Sequence, residues 1–519
     1  MKHRKFTITI ITLLFIFSLI IRLIYFMQYP IFRTDELGEN MRAYAIINYG
    51  FFPLTNNAPF IGALYNYLVA LLYLFIPSII SARLLVVILG SLTPPLLYSL
   101  ALKLCGDKYV ALMASLILAM SPAHILISSH VAWSASLVPL LLTLSLYIFV
   151  RATNNGRKWW FILGILVGLT LQAHPSSIAS IIAFIISYTL FIKRSFLKTL
   201  LNNIKFWFSG LIVGYINMVL YNIIEPLGSI IAIFKAPWTG LHEGVTLLEF
   251  ARRVVFLFTE YVTMIIAGIP VITLSYLLRN IFFYIVVTLL ITILTYSLIK
   301  SNVVKGLALY IFLTILILSL GTKGTMSPNI FGFAWGPHYL QQLLPLHSIL
   351  IAKSLNTVYK FLAKKFMKLI RLLSIATFLI IILVPFTNLL GIYSFVTNNK
   401  CINKPFLDTV YNLKRILNED TPIFIDIYSK HLPLLILYQL TIIENLNTYP
   451  SIKYIVEKPA KTYNIETFLK ETKYYDKVVL ILKPQKKYDY LLKNYFIQEK
   501  VVIRGCFQIP LYEVIIVSK

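Results

Sequence analysis

Apolar runs, most of them near the length that crosses a bilayer, recur from the N-terminus to about residue 392, and no other feature limits the fold so strongly. They fall at 7–27, 60–77, 83–102, 110–127, 135–150, 160–172, 178–192, 206–224, 254–277, 281–299, 303–320, 338–355 and 372–392. A helix of about 20 apolar residues spans the hydrocarbon layer. The chain is 58% hydrophobic and 13% charged, with mean hydropathy +0.79, whereas a soluble domain is about 25% charged. The pattern implies an all-α polytopic membrane domain. The first run follows Lys2, Arg4 and Lys5 as a signal peptide would. It is long and lacks a small-residue cleavage site, so it reads as a retained span.

The formal charge of +27 is then a matter of topology rather than of nucleic-acid binding. Basic residues collect in short cytoplasmic loops. With the N-terminus inside, a crossing at 60–77 would put Lys103, Lys108, Arg151, Arg157, Lys158, Lys193, Arg194, Lys198 and Lys205 outside. A surface helix at 60–77 puts them all inside. Pro59 and Pro77 bracket this stretch, and Tyr65, Asn66, Tyr67 and Tyr73 interrupt it, as suits a juxtamembrane helix. The same argument makes 254–277, broken by Gly268 and Pro270, a surface or re-entrant segment, leaving Lys300, Lys305 and the run from Lys353 to Arg371 inside. About 11 spans result, with outer loops near 28–82, 225–280 and 321–337.

Composition changes near residue 395. Only eight acidic residues precede residue 400 (Asp35, Glu36, Glu39, Asp107, Glu225, Glu243, Glu249 and Glu260), and the other twelve of the 20 lie beyond it. Strand-like runs at Pro422–Ile427, Val478–Leu482 and Val514–Val517 alternate with helical stretches. The expectation is a membrane domain over 1–394 and a small soluble extracytoplasmic α/β domain over 395–519, within ordinary domain size. Of Cys105, Cys401 and Cys506, the last two would both lie outside and could pair, although free thiols are the simpler reading.

Three of the eight early carboxylates fall within five positions, in Asp35-Glu36-Leu37-Gly38-Glu39 just after the first span. Carboxylates beside a membrane face are costly unless solvated or paired, and so point to function. The plainer role is a helix start, with Thr34 as cap and Asp35 and Glu36 favouring the dipole. Helical spacing puts Asp35, Glu39 and Arg42 on one face and Glu36, Asn40 and Ala43 on the next. A carboxylate held ionised by arginine can take a proton from a hydroxyl or amine nucleophile. That chemistry suits displacement at a sugar carbon with phosphate leaving. Basic candidates for the phosphate include Arg83, His174 in Gln172-Ala173-His174-Pro175, Arg252, Arg253 and His338 after Gly336-Pro337. Paired arginines at 252–253 also suit simple snorkelling. His124, His130, His242 and His347 show no supporting pattern. No zinc-like spacing and no glycine-rich phosphate loop is present; no cofactor is implied, and a divalent metal stays open.

Asp35-Glu36 with Arg42, Tyr44, Gly50 and Pro53, then Asn57-Ala58-Pro59-Phe60, Arg83-Leu84-Leu85, Ser121-Pro122-Ala123-His124 and Pro337-His338-Tyr339, resemble in order the membrane C-type glycosyltransferases. The similar group is the protein O-mannosyltransferase and lipid A aminoarabinose transferase-like family. The resemblance implies transfer of a sugar from a polyprenyl-phosphate carrier to a protein, lipid or glycan acceptor at the outer face of the cell membrane. It implies that Asp35 is the catalytic base or acceptor-orienting group, with Glu36 as its neighbour. Two departures stand out. Trp133-Ser134-Ala135-Ser136 lacks the acidic residue many relatives carry at the outer start of the fourth span, and Ala58 stands before the proline where some relatives carry a basic residue. Two other function classes compete: a lipid-linked-sugar flippase, which would place charge at mid-membrane, and a non-catalytic assembly protein, in which Asp35 would be dispensable.

Overall fold

The computed structural model describes residues 2–24, 26, 34–56, 58–76, 80–126, 132–153, 156–235, 245–266, 281–321, 338–365, 423–425, 478–482, 496–504 and 510–518. Nearly every apolar run within these bounds is a helix. In chain order they are α1 (Lys2–Leu23), α2 (Thr34–Tyr49), α3 (Leu64–Tyr73), α4 (Ile80–Cys105), α5 (Lys108–Ala119), α6 (Pro122–Ile125), α7 (Val138–Ala152), α8 (Arg157–Ala173) and α9 (Ser177–Phe191). Then come α10 (Phe196–Asn202), α11 (Ile204–Gly214), α12 (Ile216–Ile224), α13 (Gly228–Lys235), α14 (Leu247–Ile266), α15 (Ile281–Lys300), α16 (Asn302–Gly321) and α17 (Leu344–Lys365). Short 3-10 turns at Ser134–Leu137 and His338–Leu343 lead into α7 and α17. The span expected at 372–392, most of the loop at 321–337, and Cys401 and Cys506 lie outside the described residues.

Among the described residues three helical stretches are long and apolar enough to cross a membrane: Ile80–Cys105, Ser134–Ala152 and Asn302–Gly321. The pair α11 and α12, bent by 72° at Tyr215, makes a fourth if it is one broken span. α3 has 10 residues; at about 1.5 Å per residue it is too short to cross ~30 Å of hydrocarbon.

Two compact units make up the chain: one of Met1–Phe26, Phe51–Leu68 and Arg83–Gly391, the other of Met27–Gly50, Val69–Ala82 and Ile392–Lys519. In the first, local chemistry sets the helix ends. Gly106, at φ +65°, takes the left-handed turn that ends α4, and its N–H donates to Leu102 O at 2.9 Å. Asp107 then caps α5, accepting from Tyr109 N at 3.0 Å and Val110 N at 3.4 Å. Its other oxygen accepts from Asn356 Nδ2 at 3.0 Å and Lys360 Nζ at 2.9 Å, tying α5 to α17. Ser121 caps α6, whose second residue has the rigid Pro122 before it at N1.

The closest packing is between α8 and α11. Gly164 and Gly168 on one helix interlock with Gly210 and Gly214 on the other. A Cβ at Gly164 would overlap the Trp207 carbonyl oxygen, and one at Gly210 the Phe161 carbonyl oxygen. Small residues four apart let two membrane helices meet backbone to backbone, where dispersion replaces the absent hydrophobic drive. Towards the C-terminal ends of α7 and α9, Phe149 meets Phe184 and Tyr188 edge to face and stacks on Phe196 of α10 at 4.3 Å.

The second unit contains α2 and a four-stranded sheet of β1 (Ile423–Ile425), β2 (Val478–Leu482), β3 (Phe496–Arg504) and β4 (Pro510–Ser518), in the order β1-β2-β4-β3. β1 and β2 are parallel; β4 runs antiparallel to both its neighbours. Strands appear at all three expected runs, and β3 is an additional strand between β2 and β4 in sequence. The helices expected between them, which would make the domain α/β, lie outside the described residues.

Candidate functional site

The first-loop acidic stretch is a helix, α2, beginning at Thr34. Asp35 sits in its first turn; its side chain is outside the described residues. Glu36, Glu39, Asn40 and Ala43 are all buried, Glu36 at 1% and Glu39 at 4% exposure. The face that helical spacing assigns to Glu36, Asn40 and Ala43 is therefore the buried one, and Glu39 borders it. Asn40 is fixed twice: its amide donates to Glu36 O at 2.8 Å, and its oxygen accepts from the Tyr73 hydroxyl at 3.2 Å. That second bond ties α2 to α3. Arg42 lies half-buried on α2. Burial lowers its pKa from the ordinary guanidinium value, and the Glu39 carboxylate opposes that shift. Glu36, Glu39 and Arg42 thus put two buried carboxylates and a half-buried guanidinium within about two turns of α2.

In the other unit the chain from Pro53 to Ala63 makes a tight hairpin. Asn56 N donates to Ile61 O at 3.0 Å, Tyr67 Oη to Pro53 O at 2.7 Å, and Gly62 N to Gln172 O at 2.9 Å. Gly62 is required by close approach, since an added Cβ would run into the Gln172 side chain. The hairpin thus docks on the end of α8, two residues before His174.

His174 caps α8 in extended conformation and is 8% exposed. Its Nδ1 lies 2.8 Å from Ser176 Oγ and accepts from Ser176 N at 3.2 Å. An acceptor Nδ1 leaves the proton on Nε2 in the neutral ring. The ring packs at 5.0 Å from Tyr339, so the structure brings together His174 and the turn that His338 begins. The His338 side chain is outside the described residues. The Ser134 hydroxyl donates to Ala173 O at 2.9 Å, and Gln341 Nε2 donates to Ala135 O at 3.0 Å. Both 3-10 turns and the α8–α9 junction therefore form one polar knot.

Arg83, at the start of α4, is fully buried and donates Nη1 to Phe26 O at 2.9 Å. Arg252 and Arg253 differ: Arg252 is exposed and Arg253 is buried at 1%. Arg253 Nε donates to Glu249 Oε1 at 3.0 Å, while its Nη1 is buried without a hydrogen-bond partner among the described residues. A buried polar group left unmatched costs about 1–3 kcal/mol, more when charged. Snorkelling needs an exposed head group, which Arg252 has and the buried Arg253 lacks. Further along α14, burial pushes the Glu260 carboxyl up to about 7.

Two histidines without a sequence pattern turn out to be anchored. Arg22, in the last turn of α1, is fully buried and bonds the Ser18 hydroxyl and His124 Nδ1, with Ala119 O at 3.4 Å. His347 Nδ1 lies 2.6 Å from the Tyr261 hydroxyl. Their partners stand 102 and 86 positions away. Among the described residues no group of three or more His, Cys, Asp or Glu could hold a metal.

Residues 58–222 match the family described as dolichyl-phosphate-mannose-protein mannosyltransferase. That stretch is about a third of the chain and includes Arg83 and His174. No curated protein matches the sequence. Among solved structures, ArnT from Cupriavidus metallidurans bound to undecaprenyl phosphate superposes with TM-score 0.63 at 12% identity, covering 100% of this chain and 98% of that one. The same enzyme in the apo state gives the same values. The archaeal oligosaccharyltransferase AglB from Archaeoglobus fulgidus gives TM-score 0.48 at 12% identity, over 94% of this chain and 71% of that one. The expected resemblance therefore holds: this is an integral membrane protein with the membrane C-type glycosyltransferase fold along its length and the mannosyltransferase family's sequence pattern over residues 58–222.

Proposed function

We propose that the chain is a glycosyltransferase that moves a sugar from a polyprenyl-phosphate carrier to an acceptor at the outer membrane face. The observation that carries this reading is Arg253: a buried guanidinium paired with Glu249 through Nε only, with Nη1 open among the described residues. In an apolar helix such a group calls for an anion, and a lipid phosphate supplies one. The family match and the fold likeness to an enzyme bound to undecaprenyl phosphate support the choice.

The chemistry follows from α2. Asp35, with Glu36 beside it, takes the proton of an acceptor hydroxyl or amine as that atom attacks the anomeric carbon. The bond from that carbon to the phosphate oxygen breaks, and polyprenyl phosphate leaves as an anion. Arg253 receives the departing charge, with Arg83, Arg42, His174 and His338 as further candidates for the phosphate or sugar. General-base help of this kind is worth about 10²–10⁴ in rate. The acceptor is a protein, lipid or glycan. The N-terminus is inside, about 11 spans follow, and residues 395–519 form the extracytoplasmic domain.

A transporter reading draws on one observation, the 72° break between α11 and α12. Broken helices in transporters coordinate substrate at mid-membrane. Here the buried residues of the two segments are Gly210, Gly214 and Met218, none of them a ligand for a charged group. The discriminating experiment gives purified protein a polyprenyl-phosphate sugar and, separately, a nucleotide sugar. Transfer from the first supports the proposal; transfer from the nucleotide sugar alone rejects it.

A further inference from the structure

The polar knot beside His174 holds more hydrogen-bonding capacity than it uses. Gln341 and Gln342 are buried at 2% and 1% exposure. Gln341 Oε1 and both side-chain polar atoms of Gln342 have no hydrogen-bond partner among the described residues. Their positions are fixed by other bonds. Gln341 Nε2 is held by Ala135 O at 3.0 Å, and the Gln342 carbonyl oxygen accepts from the Tyr310 hydroxyl at 3.3 Å. That hydroxyl also lies 3.1 Å from Ser180 Oγ, so its one proton is shared between the two acceptors. Two acceptors and one amide donor are thus presented on a single 3-10 turn that these bonds tie to its neighbours.

Among the described residues the hydrogen-bonding groups of this turn and its neighbours are uncharged, and the His174 ring beside them has its Nδ1 engaged by Ser176. Ser134, Ser136, Ser180, Tyr310, Gln341 and Gln342 supply hydroxyls and amides but no carboxylate, and the Trp133-Ser134-Ala135-Ser136 stretch has none in its sequence. A phosphate would seek a cation, and an ammonium would seek a carboxylate. What matches paired amide and hydroxyl groups is a set of neutral hydroxyls. A site built to hydrogen-bond hydroxyls also discriminates strongly, because the wrong ligand leaves its buried groups unmatched.

We infer that the Gln341–Gln342 turn binds the hydroxyl groups of a neutral sugar and selects against a cationic amino sugar. The inference rests on the glycosyltransferase reading and names the substrate class of that site.

The test uses the full-length protein in detergent and two synthetic probes with the same short polyprenyl phosphate: one carrying a neutral hexose, the other an amino-sugar with a free ammonium. Binding is read as protection against thermal unfolding, independent of turnover, and transfer is read separately. The neutral probe should bind at least about tenfold more tightly, equivalent to ~1.4 kcal/mol. Gln342→Leu and Gln341→Leu should each lose about tenfold in affinity for the neutral probe, and Gln342→Glu should narrow or reverse the preference. A preference for the amino-sugar probe in the wild type would overturn the inference. So would a well-folded Gln342→Leu that binds the neutral probe as wild type does, since the amide would then have held only water. If either variant fails to fold, the wild-type preference and Gln342→Glu still decide. Selective binding without transfer would remove the catalytic reading and leave the sugar site standing.

Discussion

Arg253 and Glu249 face each other one helical turn apart on α14, 3.0 Å between Nε and Oε1, with the arginine side chain 2% exposed and the glutamate 29%. The pair leaves one edge of a buried guanidinium uncommitted among the described residues. On the proposed role of Arg253 in receiving the leaving phosphate, removing its charge should matter more than removing that of Arg252. Arg253→Gln should weaken binding of a polyprenyl-phosphate probe by about 10-fold or more, as loss of a charge-assisted hydrogen bond does. Arg252→Gln, on the exposed side, should stay within about twofold. Titration of both variants with the probe checks the ranking; equal effects would place the phosphate elsewhere.

Glu260 gives a pH signature. Its carboxyl is raised to about 7 by burial, against about 4.3 in an unfolded chain. The folded form therefore holds a proton that the unfolded chain releases first, and stability falls as pH rises from the lower value to the upper. Glu260→Gln should be neutral below about pH 4 and more stable than wild type above pH 7. Thermal unfolding of both proteins at pH 4, 6 and 8 measures it, and identical curves at pH 8 would contradict the burial argument.

The glycine contact between α8 and α11 predicts sharp sensitivity. Gly164→Ala and Gly210→Ala each drive a methyl group into a backbone carbonyl. Overpacking of this kind costs about 1–3 kcal/mol, and backbone atoms cannot step aside. Gly156→Ala meets open space and should be nearly silent. Comparing unfolding midpoints of the three variants is enough.

How much of this was legible beforehand depends on the kind of signal. Helices were readable because apolar runs and their brackets are local: Pro59 and Pro77 confined α3, and Gly106-Asp107 marks a helix end and a helix start in adjacent residues. The Asp35–Arg42 stretch stood out because carboxylates are scarce in so apolar a chain. Arg22 did not, since one basic residue closing an apolar run looks like an anchor at the lipid headgroups. His124 and His347 carried no spacing signal because their partners come from distant helices. Gln341 and Gln342 were silent because uncharged amides have no pattern; only their burial singles them out. β3 was missed because Gln498, Glu499, Lys500 and Arg504 break the apolar run that marks a strand.

Orientation can be checked with single cysteines in a background lacking the native three. Phe52 is 73% exposed and Ser195 is exposed in the turn before α10. In sealed cells Phe52→Cys should react with an impermeant thiol reagent, and Ser195→Cys should react only after permeabilisation. Strong labelling of Ser195→Cys from outside would invert the proposed topology.

The central claim is that a carboxylate at the start of α2 takes the acceptor's proton. Sugar transfer by Asp35→Asn tests it most directly, because asparagine keeps the size and suits a helix start while losing the charge. With Glu36→Gln measured beside it, the account predicts a well-folded Asp35→Asn slowed by about 10²–10⁴ and a milder loss for Glu36→Gln. Transfer near the wild-type rate by both variants would contradict it.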